Sequence, residues 1–125
     1  MDDVSGTPPA QAVAVLAEHV AAFNAYDLPR LMAGFAADAS WVTGRDALRG
    51  TGNLSELFDA AFAGLSPQLE IVSVLVNGDR VAAELLEHIE LDGQPREFAI
   101  AGFYRIAAGR IVAAKIYREG SADVA

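Results

Sequence analysis

The spacing of hydrophobic residues along the sequence changes near Gln68, and this change limits the possible folds more than any other feature. Before that point apolar residues recur at helical spacing, whereas afterwards runs of Ile and Val alternate with turn signals. The turn signals are Asn77-Gly78, Asp92-Gly93 and the glycine-containing segment 107–109. We therefore predict a four-stranded meander, with a strand between the first two turns and others over 69–76, 98–106 and 110–117.

The segment from Val81 to Leu91 fits two kinds of element. Its apolar residues also recur at helical spacing, and Ala, Glu and Leu favour helix intrinsically. The turn signals on both sides favour a strand instead. A helix would bring Glu84, Glu87 and His88 onto one face, whereas a strand would separate Glu87 from His88.

The sequence before Gln68 predicts two helices at its start. Pro8 and Pro9 suit the entry of a first helix, because proline lacks an amide hydrogen that the first turn would leave unpaired. This helix should run to about Tyr26, with a buried stripe of Val13, Leu16, Val20 and Phe23. Asp27 can cap a second helix that closes at Asp38 and has Leu31, Met32 and Phe35 as its inward positions.

A short strand and a third helix complete this half. Residues 40–43 combine aromatic and β-branched side chains, which suit a strand, and 44–52 reads as a loop. Asn53 followed by Glu56 resembles a capping box for a third helix, which Ser66-Pro67 ends.

The composition limits the chemistry and the partners. Nine basic against 17 acidic side chains give a net charge of −8 and a sequence pI near 4.5, which disfavours nucleic acid and anionic membranes as partners. The chain has no cysteine and two histidines, which excludes disulfides and thiol nucleophiles and leaves little for a metal site. We predict no metal and no other cofactor.

The chain also predicts a single domain. No repeat or Pro/Gly/Ser-rich linker divides it, so we expect one domain over 9–120 with a flexible N-terminal tail, 1–8, and a C-terminal tail, 121–125. The acidic N-terminus lacks the apolar run of a signal peptide, and no apolar stretch reaches about 18 residues. We therefore predict a cytoplasmic protein.

This order of elements resembles the nuclear-transport-factor-2-like superfamily, which includes SnoaL-like polyketide cyclases, ketosteroid isomerases and limonene-epoxide hydrolases. The resemblance covers about Ala12 to Glu119. The resemblance rests on the segments 23–27, 77–81, 103–105 and 109–112, together with Asp38, Trp41 and Gly50. It implies an α+β fold in which a cone-shaped, curved mixed sheet wraps around three N-terminal helices. It also implies an apolar pocket for a small hydrophobic molecule and a homodimer formed through the other sheet face.

Strand alternation then makes Glu87 the candidate catalytic residue. With turns at 92–93 and 107–109, one face receives Glu87 among otherwise apolar or small neighbours, which are Leu85, Phe98, Ile100, Gly102, Tyr104, Val112, Ala114 and Ile116. Burial would raise the pKa of this carboxyl toward the range that a general acid or base needs. The alternative is a carboxylate at the rim that is solvated or paired with an arginine.

Several aromatic and apolar residues are candidates for substrate contact. Trp41 and Tyr104 can stack on a flat ligand and donate one hydrogen bond, although ordinary core packing is the alternative. Tyr26 is a candidate for the pocket mouth. Phe58 and Phe62 are expected in the core or pocket wall, and Leu85, Ile100 and Ile116 complete the predicted lining.

The resemblance to epoxide hydrolases is incomplete at the charged positions. Glu87 falls where that pattern carries one aspartate, but Leu85 replaces the arginine two residues earlier. Ile116 stands where the second aspartate would lie, and where many SnoaL-like cyclases carry their acid. Three hypotheses remain: an isomerase, cyclase or hydrolase that uses one carboxylate, a non-catalytic binding module, and a dimerisation domain whose pocket is filled by its own aromatic side chains.

The remaining ionisable candidates are expected at the surface. His19 follows Glu18 on the first helix and is predicted to be solvated, and His88 is predicted to be a surface or interface residue. The segment 115–120 carries mixed charges and is predicted to form a dimer rim.

Overall fold

The computed structural model describes residues 7–44 and 46–119, which form three helices and six strands. The helices are α1 (Pro9–Asn24), α2 (Leu28–Ala33) and α3 (Thr51–Ala63). The strands are β1 (Phe35–Thr43), β2 (Asp46–Arg49), β3 (Gln68–Asn77), β4 (Arg80–Leu91), β5 (Gln94–Ala107) and β6 (Arg110–Arg118). The predicted terminal tails lie outside the described residues, apart from Thr7 and Pro8.

All six strands belong to one mixed sheet in the order β2-β1-β6-β5-β4-β3. The four last strands form the predicted antiparallel meander, and β1 joins it by pairing parallel with β6. Register shifts interrupt three of the pairings, β1 with β6, β3 with β4 and β5 with β6, and such bulges bend strands. The sheet is curved and unclosed, and the predicted α+β class is confirmed.

The segment from Val81 to Leu91 is a strand, as its flanking turns predict. β4 pairs with β5 along its whole length, from Arg80 opposite Arg105 to Leu91 opposite Gln94. Tertiary pairing therefore overrides the intrinsic helix preference of Ala, Glu and Leu in this segment.

The boundaries predicted between Asp27 and Gly52 are partly wrong. The Asp27 side chain accepts a hydrogen bond from the Arg30 N–H as expected, but α2 ends at Ala33 rather than near Asp38. Phe35 already belongs to β1, because the Ile111 N–H donates to the Gly34 carbonyl at 2.8 Å and joins this backbone to β6. Part of the predicted loop is the strand β2, which pairs with 40–43 across a turn at Gly44.

The third helix also begins differently from the prediction. α3 starts at Thr51 after Gly50, which has φ of +89° and provides no side-chain cap. Asn53 is not its cap, since the Asn53 amide donates to the Arg49 carbonyl at 2.9 Å. The helix ends at Ala63, a few residues before Ser66-Pro67.

The core lies between the inner face of the sheet and the helices. Its fully buried members come from both layers and include Leu16 of α1, Leu54 of α3, Val81 of β4 and Ile106 of β5. Val13, expected in the buried stripe of α1, is 40% exposed. Val112, expected on the inner face, is the extra residue of a bulge in β6, and Ile111 is fully buried beside it.

Asn24 joins the end of α1 to the start of β3. Its side chain donates to the Leu69 carbonyl at 2.8 Å and accepts from the Leu69 N–H at 2.7 Å, as a neighbouring strand would. These two hydrogen bonds are half-buried and fix the helix against the sheet edge.

We expect Asn24→Ala to lower the free energy of unfolding by about 2 kcal/mol, because it leaves two backbone groups of Leu69 without partners. Asn53→Ala is the matched control, since it removes one exposed hydrogen bond and should cost less than about 0.5 kcal/mol. Urea unfolding followed by circular dichroism measures both. Equal losses in the two variants would contradict this role for Asn24.

Candidate functional site

A cavity of about 210 Å³ lies between the inner face of the sheet and helices α1 and α3. Its wall is mostly apolar, and its polar members are His19, Thr43, Glu87, Tyr104 and Arg118. The remaining lining residues are Phe23, Trp41, Leu57, Phe58, Ala61, Pro67, Leu69, Leu85, Ile100 and Ile116. Its aromatic residues do not fill it.

The predicted alternation of β4 and β5 is confirmed. Leu85 pairs with Ile100 and Glu87 with Phe98, which puts these side chains in adjacent rows on the inner face. Leu85 and Ile100 are buried, and the Glu87 side chain is 13% exposed. Glu87 is the one carboxylate among the described lining residues.

Glu87 forms an ion pair with Arg118. The Arg118 Nη2 donates to Glu87 Oε1 across β5, and the guanidinium carbon lies 5.2 Å from the centroid of the Phe98 ring. Arg118 is only 23% exposed, so both charges are largely removed from water. The sequence allowed a buried carboxylate or a rim carboxylate that is solvated or paired with an arginine. In the structure Glu87 is paired with Arg118 and lies on the inner face.

Arg118 lies on the inner face, whereas its neighbours Lys115 and Tyr117 are exposed on the outer face, and the expectation that segment 115–120 forms a dimer rim stays a prediction. The position of Arg118 continues the alternation of Ala114 and Ile116 on β6 by one more step, so its side chain belongs to the inner face. The alternation of β6 could therefore have placed Arg118 on the inner face. The predicted strand ended one residue too early, at Tyr117, and so left Arg118 out.

His19 is buried, which corrects the prediction that it is solvated. It is 5% exposed. It lies three residues after Leu16 and four before Phe23, and this helical spacing puts all three on the same face of α1. Four aromatic rings surround it with centroids 5.5 to 6.2 Å from its own, those of Phe35, Trp41, Phe58 and Tyr104. The helical spacing was again a usable signal.

Burial lowers the pKa of His19 to about 4, because removal from water disfavours the charged imidazolium. The imidazole is therefore neutral at neutral pH. Its Nδ1 is fully buried and has no hydrogen-bond partner among residues 7–44 and 46–119.

Tyr104 and Trp41 lie where the sequence predicts, on the inner face and in the wall of the cavity. Burial raises the pKa of the Tyr104 phenol above its usual range, so the hydroxyl keeps its proton. The ring lies across Gly102, where an added Cβ would come within 2.5 to 2.7 Å of three Tyr104 atoms. Glycine at this position is what lets the ring lie flat against the sheet.

The other candidates divide into two groups. Phe58, Leu85, Ile100 and Ile116 line the cavity as predicted. Tyr26 and Phe62 are outside its lining: the Tyr26 hydroxyl donates to the Ser66 carbonyl at 2.5 Å, and its ring packs on Phe62. Tyr26 has φ of +55°, which turns the chain after α1 and directs the ring to this contact.

The outer face of the sheet carries the second histidine and a larger groove. His88 lies on the face opposite Glu87, with its Nε2 3.1 Å from Glu70 Oε1 and its Nδ1 3.2 Å from Glu97 Oε2. Its predicted surface position is confirmed. The groove, of about 570 Å³, is lined by exposed apolar residues and by Arg80, Arg105 and Lys115. We place the candidate site in the smaller inner cavity because the largely buried polar side chains of His19, Glu87 and Arg118 line it.

The pH dependence of stability should report the buried His19. Between pH 6.5 and pH 4 the unfolded chain binds a proton at this residue and the folded chain does not, so stability falls as the pH falls. We expect a loss of about 3 kcal/mol in the free energy of unfolding across this window.

His19→Phe provides the comparison, because phenylalanine suits the aromatic surroundings and does not titrate. The difference between wild type and this variant, measured by urea unfolding at several pH values, cancels the carboxylates common to both. If the free energy of unfolding of His19→Phe fell with pH as steeply as that of wild type, His19 would not have this lowered pKa.

The comparisons with known proteins agree with this architecture. The family model described as the SnoaL-like domain matches residues 16–114. A search of curated proteins finds no match.

Three solved structures share the fold at low sequence identity. An epoxide hydrolase of M. tuberculosis, described as LEH-like, is 17% identical with a TM-score of 0.79, covering 88% of this chain and 84% of its own. IdmH of Streptomyces antibioticus, named as a candidate polyketide cyclase, is 20% identical with a TM-score of 0.78, covering 91% and 96%.

The third is a protein of Catenulispora acidiphila with a ketosteroid isomerase-like fold, solved in complex with trimethylamine. It is 21% identical with a TM-score of 0.79, covering 93% of this chain and 90% of its own. The matched domain model covers well over half of the sequence. The chain therefore belongs to the SnoaL-like domain family.

Proposed function

We propose that this protein is an enzyme for a compact, mostly apolar metabolite and that Glu87 transfers a proton in its inner cavity. The observation that carries the proposal is the position of Glu87, the one carboxylate among the described residues of a mostly apolar cavity wall. A desolvated carboxylate in a cleft is a candidate for a functional site. In this proposal the protein acts in the cytoplasm.

The size of the cavity limits the substrate. Its volume of about 210 Å³ exceeds the ~150 Å³ of an engineered cavity that holds benzene, and it is below the ~300 Å³ at which pockets for drug-sized ligands begin. A molecule of about one ring fits these limits. In this proposal Trp41, Phe58 and Tyr104 provide the flat contact surfaces for such a ring.

The reaction class follows from a single base. A carboxylate can take a proton from carbon beside a carbonyl group and return it to another atom of the same molecule, as isomerisation and some ring closures require. It can also take a proton from water that attacks an epoxide and give it to the alkoxide that ring opening forms. The named activities of the structural neighbours include an epoxide hydrolase and a candidate polyketide cyclase, which supports this range. Leu85 and Ile116 supply no second charge, so in this proposal Arg118 positions Glu87 and Glu87 alone moves the proton.

Glu87→Gln should abolish turnover while keeping substrate affinity within about threefold, because the amide keeps the shape but is not a base. We suggest cyclohexene oxide and 3-cyclohexenone as probes of hydrolase and isomerase activity, with products measured by gas chromatography. The rate with an accepted probe should fall by about 100-fold or more.

Glu90→Gln is the matched control, since Glu90 is an exposed carboxylate on the same strand. It should keep the wild-type rate. A Glu87→Gln variant as active as wild type would refute the proposed role of the carboxylate.

A non-catalytic binding module is the second candidate, and the Glu87–Arg118 pair favours it. A carboxylate already bound to a guanidinium is engaged before any ligand arrives, and neither Leu85 nor Ile116 replaces it as a base. This candidate predicts that wild type binds the two probes and returns both unchanged after long incubation.

We also propose that the outer face of the sheet forms a homodimer. Leu75, Phe103 and Tyr117 are 73%, 52% and 50% exposed, and the Phe103 and Tyr117 rings pack edge to face at 5.9 Å. Charge is divided along the outer face. Arg80 and Arg105 lie opposite each other on β4 and β5 at one end of the face, and the acidic side chains around His88 lie toward the other end. A two-fold axis would turn the basic end of one sheet onto the acidic end of its copy.

Sedimentation equilibrium should give twice the chain mass of 13.1 kDa for wild type. Phe103→Glu should give the single mass, because it puts a charge in the middle of the apolar area. Val13→Glu, on the exposed side of α1, should remain dimeric. A wild type that is monomeric at micromolar concentration would exclude this dimer.

A further inference from the structure

Gly102 lies in the interior of β5, where glycine weakens a strand because it has no side chain to pack and loses more conformational entropy on folding than other residues. The backbone does not require glycine at this position. The positive-φ glycines of the described chain lie at turns and before α3, and Gly102 is not among them. What glycine provides here is therefore space.

The hydroxyl end of Tyr104 occupies the space above Gly102. A Cβ added at Gly102 would lie 2.5 Å from the Tyr104 hydroxyl oxygen, 2.6 Å from Cε1 and 2.7 Å from Cζ. Ordinary contacts between carbon atoms are about 3.5–4.0 Å, so the ring would have to move if position 102 carried a side chain. Among the described glycines, Gly102 is the one at which an added Cβ would come within 3.0 Å of another atom.

This contact lies at the wall of the inner cavity. Gly102 alternates with Ile100 and Tyr104 on the inner face of β5 and pairs with Ile116 on β6, and these three neighbours all line the cavity. Gly102 is not part of the lining, because the Tyr104 ring covers it. The hydroxyl end of Tyr104 therefore forms the cavity wall above Gly102.

A larger residue at position 102 would push the Tyr104 ring toward the cavity. The new Cβ would block the ring on the side of the sheet, and the buried rings of His19 and Trp41 lie with centroids 6.0 and 6.4 Å from its own. Packed interiors of this kind have few voids larger than a water molecule. The cavity of about 210 Å³, which Tyr104 already borders, provides the free volume for the displaced ring.

We propose that Gly102 sets the depth of the inner cavity, and thereby the ring size of the ligand, by letting Tyr104 lie flat against the sheet. This inference rests on the proposed function and names the residue that selects its substrate by size. Gly102 touches no ligand in this proposal and acts through Tyr104. With glycine the cavity admits a ring of the size of cyclohexanone, and with a larger residue the displaced phenol takes part of that space.

Three cyclic ketones test this assignment: cyclobutanone, cyclohexanone and the fused two-ring ketone 2-tetralone. Their binding to the full chain is measured by ligand-observed NMR. Gly102→Ala should weaken cyclohexanone binding by about tenfold or more, because overpacking a buried site has a cost of this size, and should keep cyclobutanone binding within about twofold. Gly52→Ala is the matched control, since its methyl group enters open space on α3 and should change neither affinity.

Tyr104→Leu provides the rescue, because leucine lacks the three atoms that the new Cβ would meet. The double variant Gly102→Ala/Tyr104→Leu should bind cyclohexanone within about threefold of Tyr104→Leu alone, so the two positions are coupled in a double-mutant cycle. Tyr104→Leu should also bind 2-tetralone more tightly than wild type, because the phenol no longer limits the cavity. A general loss of stability would produce neither result.

The outcomes separate this inference from the proposed function. If Gly102→Ala binds cyclohexanone as tightly as wild type, or if the double variant is as weak as Gly102→Ala, the assignment is overturned while the cavity remains a binding site. If wild type binds none of the ketones, the pocket function itself fails and the assignment fails with it. A selective loss of cyclohexanone binding that the double variant restores supports the assignment.

Discussion

The inner face of the curved sheet is apolar and covered by helices, and every feature of the site depends on this desolvation. Alternation along β4, β5 and β6 sends Leu85, Ile100 and Ala114 to this face, where each is nearly or fully buried. α1 and α3 cover the face and leave a cavity of about 210 Å³. A polar group placed there must find a partner, stay neutral or destabilise the fold.

The polar residues of the cavity meet this requirement in three ways. Glu87 and Arg118 neutralise each other as an ion pair, His19 remains an uncharged imidazole, and Tyr104 keeps its phenolic proton. The cavity therefore has hydrogen-bonding capacity without net charge. This balance suits an uncharged ligand, because a charged one would lack a free counter-ion among these residues. The size limit and the charge limit thus point to the same class of molecule.

The sequence predicts the meander and the inward position of Glu87, because turns fix the register and alternation then fixes the face. It does not place the other polar residues of the cavity, Arg118 and His19, as readily. Arg118 ends β6, where alternation gives its face but not how far the sheet extends to cover it. His19 follows Glu18 on α1, and local pattern does not define how wide the buried stripe of a helix is. Both answers depend on tertiary structure, such as the parallel pairing of β1 with β6 and its register shift, which joins strands distant in sequence.

The ion pair need not make Glu87 inert. Arg118 Nη2 donates to one oxygen of Glu87, Oε1, and an ionised carboxylate offers about four lone-pair sites. Both residues are on strands rather than loops, which fixes their relative position. The ion pair therefore fixes the position of the carboxylate in the cavity wall and leaves it able to accept a proton, which is why the inner cavity is compatible with both proposed functions.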